Sequence, residues 1–333
     1  MKLSIVDQSP VSEGSTPADA LRNSIELGRL ADRLGYERYW IAEHHGMDTL
    51  ASPAPEILIA RIAAETSRIR VGSGAVLLPH YSPLKVAEVF RMLHALYPDR
   101  IDLGVGRAPG GTALEARALR KGLSADVDTF PDDLLELLAY LENGFPPGHP
   151  FGKIKVAPQM PGGPEVWLLG SSPWSATAAA QLGSPYAFAH FIDPQYTRQA
   201  IERYRSEFHS SERLKNPRVI LALGALCAET EEEARHLAAS ARALLRRFRT
   251  FPRAGGLVPT AEQAIEELST GLDPSVFESG EWPRYAVGTA ARLREKLSNI
   301  ADELKVDEMM IVTIVHSHNA RLRSYELLAK AFI

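Results

Sequence analysis

The 333-residue sequence carries 37 Lys and Arg against 41 Asp and Glu, a formal charge of −4, with 45% apolar and 23% charged residues. That is the composition of a globular chain long enough for one large α/β domain, and its acidic balance offers no basic face for nucleic acid. One cysteine, Cys227, excludes an intramolecular disulfide framework and a clustered cysteine metal site.

The opening stretch MKLSIVDQSP has an apolar run too short for a signal-peptide core and reads as a first buried strand over residues 3–7. Nowhere does the chain approach the ~18 consecutive apolar residues of a membrane span. A soluble, cytoplasmic protein is expected. A helix follows over 16–34: Thr16 caps it, Pro17 occupies its first turn, Asp19 completes the cap and Gly35 ends it. Residues 38–42 form the second strand and 55–66 the second helix. The third strand covers 69–78, with a helix over 83–97, and the fourth covers 101–106, with a helix near 130–142. Strands at 165–170, 186–191 and 219–227 then alternate with helices at 173–182, 195–210 and 230–249. A last strand, 308–314, leads to a closing helix at 319–332.

Strands that read as continuous apolar runs are buried on both faces, as in a parallel sheet covered by helices. Eight such alternations predict an α/β fold closed as a (β/α)8 TIM barrel, one domain over 1–333, with insertions near 143–164 and 250–287. Long insertions in a barrel shape the active-site mouth or act as lids, and a lid over 250–287 is predicted. A dimer contact or a surface loop is the plainer alternative.

WIAEHHGM (40–47) ends the second strand with Glu43, His44 and His45 in a row. Barrel chemistry gathers at the carboxyl ends of the strands, where this run falls. Adjacent strand residues point to opposite sides, so His44 and His45 cannot both ligate one ion. A zinc site would have to recruit His80, Asp102 or His190, and none is expected. One imidazole at the mouth could move a proton near neutral pH. A histidine pair bonded to loop backbone is the plainer reading.

LLGSSPWSATAAAQLG (168–183) ends a strand at Gly170 and opens a helix, with Ser172 at the N-cap and Pro173 in the first turn. Free N–H groups, the positive helix end and the hydroxyls of Ser171, Ser172 and Ser175 make an anion site there. GVGRAPGG (104–111) brings Arg107 to the same rim, where its guanidinium could clamp a phosphate. A Rossmann fingerprint is rejected, because Pro109 interrupts where a helix should begin.

Together these stretches resemble the bacterial luciferase-like, flavin-dependent monooxygenases. The resemblance is densest over LGYERYWIAEHH and VGSGAVLLPHYSPLKVAEVFRMLHALYPDRIDLGVGRAPGG. It resumes at LLGSS…AAAQLG, at VGTAARLREKL (287–297) and in the opening and closing stretches. It implies reduced FMN at the carboxyl-end mouth, reacting with O2 through a C4a-peroxyflavin to oxygenate a small, aldehyde-like substrate. It implies His44 as catalytic acid/base and Arg107, Ser172 and Ser175 on the phosphate, with Ser171 facing the flavin. A non-prolyl cis peptide at Gly74-Ala75 would lie under the ring. It further implies a homodimer, supplied with FMNH2 by a separate flavin reductase. Luciferases carry a cysteine at the position of Gly106 and a glutamate at that of Ser171, so light emission is not implied. An F420-dependent hydride-transfer enzyme and a non-catalytic flavin-binding protein are the alternatives.

Overall fold

The computed structural model describes residues 1–120, 128–250, 256–269 and 281–333. Among them lie strands β1 (Lys2–Asp7), β2 (Arg38–Ile41), β3 (Arg70–Ser73), β4 (Val76–Leu77), β5 (Ile101–Gly106), β6 (Glu165–Gly170), β7 (Tyr186–Ala189), β8 (Val219–Ala228), β9 (Tyr285–Thr289) and β10 (Glu308–Val312). Every pairing between these strands is parallel. Their order is β10-β1-β2-β3-β5-β6-β7-β8, and β8 pairs back to β10 to close the barrel.

Alternation along each strand builds two cores. Ile5, Tyr39, Ile41, Val71, Leu103 and Leu221 face outward into the layer between strands and helices. Val6, Trp40, Trp167, Ile220, Ala222 and Met310 face inward, with Trp40 and Trp167 edge to face at 5.4 Å. At the amino ends the interior is closed by charge. Arg38 reaches Asp102, Glu165 and Glu308 at 2.8, 3.0 and 2.9 Å, and Arg70 grips Asp102 from the other side at 2.6 Å. With this end sealed, access is left to the carboxyl-end mouth.

Local signals survive intact. The first helix, α1 (Pro17–Leu34), carries the Thr16/Asp19 capping box and ends on Gly35 at φ 87°. The third predicted strand is instead broken into β3 and β4 by a cis peptide at Gly74-Ala75, after which β4 runs beside the end of β5. A short helix, α4 (Ala113–Leu119), was not anticipated; it opens with its own capping box at Thr112 and Glu115.

Two insertion expectations need correction. Residues 143–164 join the end of α5 (Phe130–Glu142) to the start of β6, which places them at the amino-terminal face, away from the mouth. There Arg91 and His94 of α3 (Pro83–Leu96) donate to the carbonyls of Met160 and Pro161. The second excursion begins earlier than residue 250. The long helix α8 (Glu231–Thr250) is not the layer helix between the seventh and eighth barrel strands. Its Ala234, Ala238, Ala241 and Leu244 join the same cluster as Leu226, Val312, Ile314 and Val315, and it packs against β8 and the strand β9 (Tyr285–Thr289). The layer helix is Ala290–Leu304, which buries Leu293, Leu297 and Ile300 in the outer core. Strand β9, also unanticipated, extends the sheet along the outer half of β8.

Of the predicted lid, residues 251–255 and 270–280 lie outside the described residues. Its α9 (Ala261–Ser269) starts on the Thr260/Gln263 capping box, and Val258 exchanges backbone hydrogen bonds with Val11 and Glu13. No helix among the described residues is long and apolar enough to cross a membrane.

Candidate active site

A cavity of about 440 Å³ opens at the carboxyl-end mouth, and His44, Gly74, Ala75, Arg107, Ser171, Ser172 and Ser175 all border it. Residues from the ends of strands far apart in sequence therefore converge as the barrel predicts.

His44 and its neighbours divide as strand alternation requires. His44 lines the cavity, and its Nδ1 is buried with no partner among the described residues. Burial, with a smaller contribution from His45, pushes its pKa down to about 4. Glu43 points to the wall. One of its oxygens accepts from His45 Nε2 and the Tyr81 hydroxyl, each at 2.8 Å, and the other from the Leu77 backbone N–H at 3.1 Å. The carboxylate thus ties the end of β2 to β4, just beyond the cis peptide. Neither Glu43 nor His45 supports His44 by a side-chain hydrogen bond. The residues a zinc site would recruit are scattered: Asp102 sits in the amino-end charge network, His80 meets Pro109 O, and His190 meets Thr197 and Pro283 O.

The cis peptide Gly74-Ala75 forms part of the cavity wall directly over the inner core. A Cβ on Gly74 would come within 3.1 Å of Trp40 Cβ and 3.2 Å of Val6 Cγ2, so the backbone lies flush on these side chains.

Arg107 and the serine-capped helix α6 (Pro173–Gln181) face the same cavity. Arg107 stacks on Trp174 with its guanidinium carbon 4.4 Å from the ring centroid, and Phe130 meets that ring edge-on at 5.8 Å. Asp128 Oδ2 accepts from Arg107 Nη1 at 3.2 Å. The three serines are not equivalent. Ser175 donates to Ser172 O at 2.7 Å and meets the Tyr186 hydroxyl at 3.0 Å, so its proton is committed within the protein. Ser172 is the N-cap residue but makes no side-chain cap bond. Among the described residues, the hydroxyls of Ser171 and Ser172 have no protein partner.

Sequence reading missed Asp128, Trp174 and Phe130 around Arg107, and Gln8, Phe191 and Ile192 on the cavity wall. Trp174 stands inside the capping stretch SSPWS and could have been found there. Asp128 carries no local signal.

A family model for luciferase-like monooxygenases matches residues 1–307. The chain belongs to the luciferase-like monooxygenase family. The chain is 40% identical to the luciferase-like monooxygenase of Escherichia coli (strain K12), covering 97% of this chain and 95% of that relative. It is 36% identical to the N-acetyl-S-alkylcysteine monooxygenase of Bacillus subtilis (strain 168), over 100% of this chain and 98% of the other. The crystal structure of apo-MsnO8 superposes with a TM-score of 0.92 at 53% identity, covering 99% and 98% of the two chains. The fold alone is shared with two more distant structures. One is the oxygenating constituent of 3,6-diketocamphane monooxygenase in complex with FMN, at TM-score 0.71 and 20% identity over 99% and 98% of the chains. The other is an F420-dependent secondary alcohol dehydrogenase, at TM-score 0.70 and 14% identity over 100% and 99%.

Proposed function

We propose that this chain binds reduced FMN at the mouth and, with O2, oxygenates a small organic substrate. The reading rests on one convergence: a guanidinium, two unpartnered serine hydroxyls at a helix start and an unpaired buried imidazole border a single cavity. These groups fit a flavin nucleotide. Arg107, the hydroxyls of Ser171 and Ser172 and the free N–H groups of α6 would hold the phosphate. Ser175 would brace the turn through Ser172 O. The flush Gly74-Ala75 backbone would support the ring, since the one side chain of that pair is the methyl of Ala75. Bound and reduced, the flavin supplies the electrons that activate O2. His44, uncharged at neutral pH, holds or takes a proton at Nδ1. Apolar walls from Leu77, Phe130, Phe191 and Met310 exclude water from that exchange. The diketocamphane protein is an oxygenating constituent, which supports a separate reductase as the source of reduced flavin here.

F420-dependent hydride transfer is the second reading, favoured by the shared fold of the F420-dependent dehydrogenase. Anaerobic titration with reduced FMN and reduced F420, followed by mixing with air-saturated buffer, separates the two. Tight binding of reduced FMN with O2-dependent reoxidation supports the proposal. Preferential binding of reduced F420 without O2 consumption overturns it.

Asp128 competes with a bound phosphate for Arg107. Both side chains are roughly half exposed, so the pair contributes only about 0.2–1 kcal/mol. Asp128→Asn is therefore expected to tighten FMN about two- to five-fold and leave riboflavin unchanged. Equal shifts for both flavins in fluorescence titrations would count against a phosphate at Arg107.

A further inference from the structure

The loop that carries Arg107 is fastened at two backbone carbonyls. His45 N–H donates to Gly110 O at 2.8 Å, a bond between main chains. His80 Nε2 donates to Pro109 O at 2.9 Å, a bond from a side chain. His80 ends the short 3-10 turn Leu78–His80, is only 8% exposed, and stacks edge-on against His45 at 5.7 Å and 87°. Its Nδ1 is buried without a partner among the described residues, so the ring offers the loop one hydrogen bond, through Nε2. The fit on the far side is equally close. Gly110 sits at φ +64°, and a Cβ there would lie 2.1 Å from Leu77 Cδ1; one on Gly111 would lie 2.7 Å from His45 O. The loop is thus pressed against β4 and the end of β2, and the His80 ring bonds its backbone.

We propose that His80 is a positioning residue for Arg107. Through Pro109 O, two residues further on, it sets the height of the guanidinium at the rim and hence how strongly a phosphorylated cofactor is preferred over its phosphate-free form. The proposal rests on the reading that Arg107 binds a flavin phosphate. His80 does not touch the ligand. A guanidinium out of register with its anion loses the directional, charge-assisted part of the contact while keeping the charge.

The discriminating quantity is the ratio of affinities for reduced FMN and reduced riboflavin, measured anaerobically on the full chain. In the unmutated protein FMN should be preferred by about 10- to 100-fold, and Arg107→Ala should abolish most of that preference. His80→Gln can still present an N–H where Nε2 stands, and should keep the ratio within about threefold. His80→Asn is too short to reach Pro109 O, and with His80→Ala should cut the ratio about tenfold, toward the Arg107→Ala value. If Gln and Asn behave alike, or if both flavins weaken in parallel, His80 is merely structural and the proposal is overturned. The Gln/Asn comparison decides the matter even should the alanine variant fail to fold. A ratio near one in the unmutated protein, unaffected by Arg107→Ala, would instead remove the phosphate reading itself.

Discussion

Replacing His44 with alanine is expected to lower turnover by about 10²–10⁴-fold while FMN affinity stays within a few-fold. The proposed role needs a group that is uncharged, close to the cavity and not engaged elsewhere. His44 meets all three conditions. Its backbone N–H is bonded to Ser52 O at 2.9 Å, which fixes the residue in place, while its Nδ1 has no partner among the described residues. A buried polar atom left unpaired costs stability, and a ligand that satisfies it recovers that cost. The pH dependence follows from the same burial. With the folded pKa depressed to about 4, the imidazole stays neutral well below the usual histidine value of 6.5. The acid limb of the rate profile should therefore fall nearer pH 4 than pH 6.5. The sign for stability is the same: between those values the unfolded chain binds the proton and the folded chain does not. His44 therefore costs stability progressively as pH drops through that window. His44→Ala should flatten both dependences. Steady-state kinetics across pH, beside flavin titrations, make the check, and unchanged turnover would dismiss the role.

Asp102→Ala is expected to reduce the unfolding free energy by about 3–5 kcal/mol. Asp102 is fully buried at the amino end of the barrel. It accepts from Arg38 at 2.8 Å, from Arg70 at 2.8 and 2.6 Å, and from the Trp40 indole at 2.8 Å. Removing it leaves buried guanidinium charge with too few acceptors, although Glu165 and Glu308 still face Arg38. Burial would raise the pKa of Glu165, yet the hydrogen bond and charge of Arg218, with Arg38 and Arg70, hold it down at about 2. Glu165 thus stays ionised at neutral pH, whereas burial pushes the Glu308 carboxyl up and leaves it the weaker of the two remaining partners of Arg38. The damage should be confined to stability, because the mouth lies at the other end of the strands. Urea titration of the variant, with flavin affinity measured on the folded protein, separates the two effects. A loss below about 1 kcal/mol would show that the network contributes far less than a buried charge cluster should.

The His45 ring shows how an ambiguous local pattern is resolved. From sequence, Glu43-His44-His45 reads most plainly as loop support, with catalytic machinery the alternative that the resemblance raises. In the fold it is divided: His44 borders the cavity, and His45 turns back to Glu43, which also holds β4 through Leu77. Strand alternation announces that the two rings must part. Which one faces the mouth depends on the register of β2 between β1 and β3, set by pairings such as Val6 with Trp40 and Ile41 with Ser73.

By itself the sequence determined the eight barrel strands and most of the helices, because a parallel strand must bury both faces and so reads as an unbroken apolar run. It likewise determined the caps at Thr16 and Thr260 and the serine-proline start of α6, whose chemistry is complete within a few residues. Only the tertiary structure decided that α8 packs against β8 and β9 and that Ala290–Leu304 serves the outer layer. Both helices have an apolar face, and periodicity records that a face is buried without recording against what. The pairing of Arg107 with Asp128, the hold of His80 on Pro109 and the grip of two arginines on Asp102 were decided there too. Each joins residues twenty or more positions apart, brought within hydrogen-bond reach by closure of the barrel and by the packing of its loops.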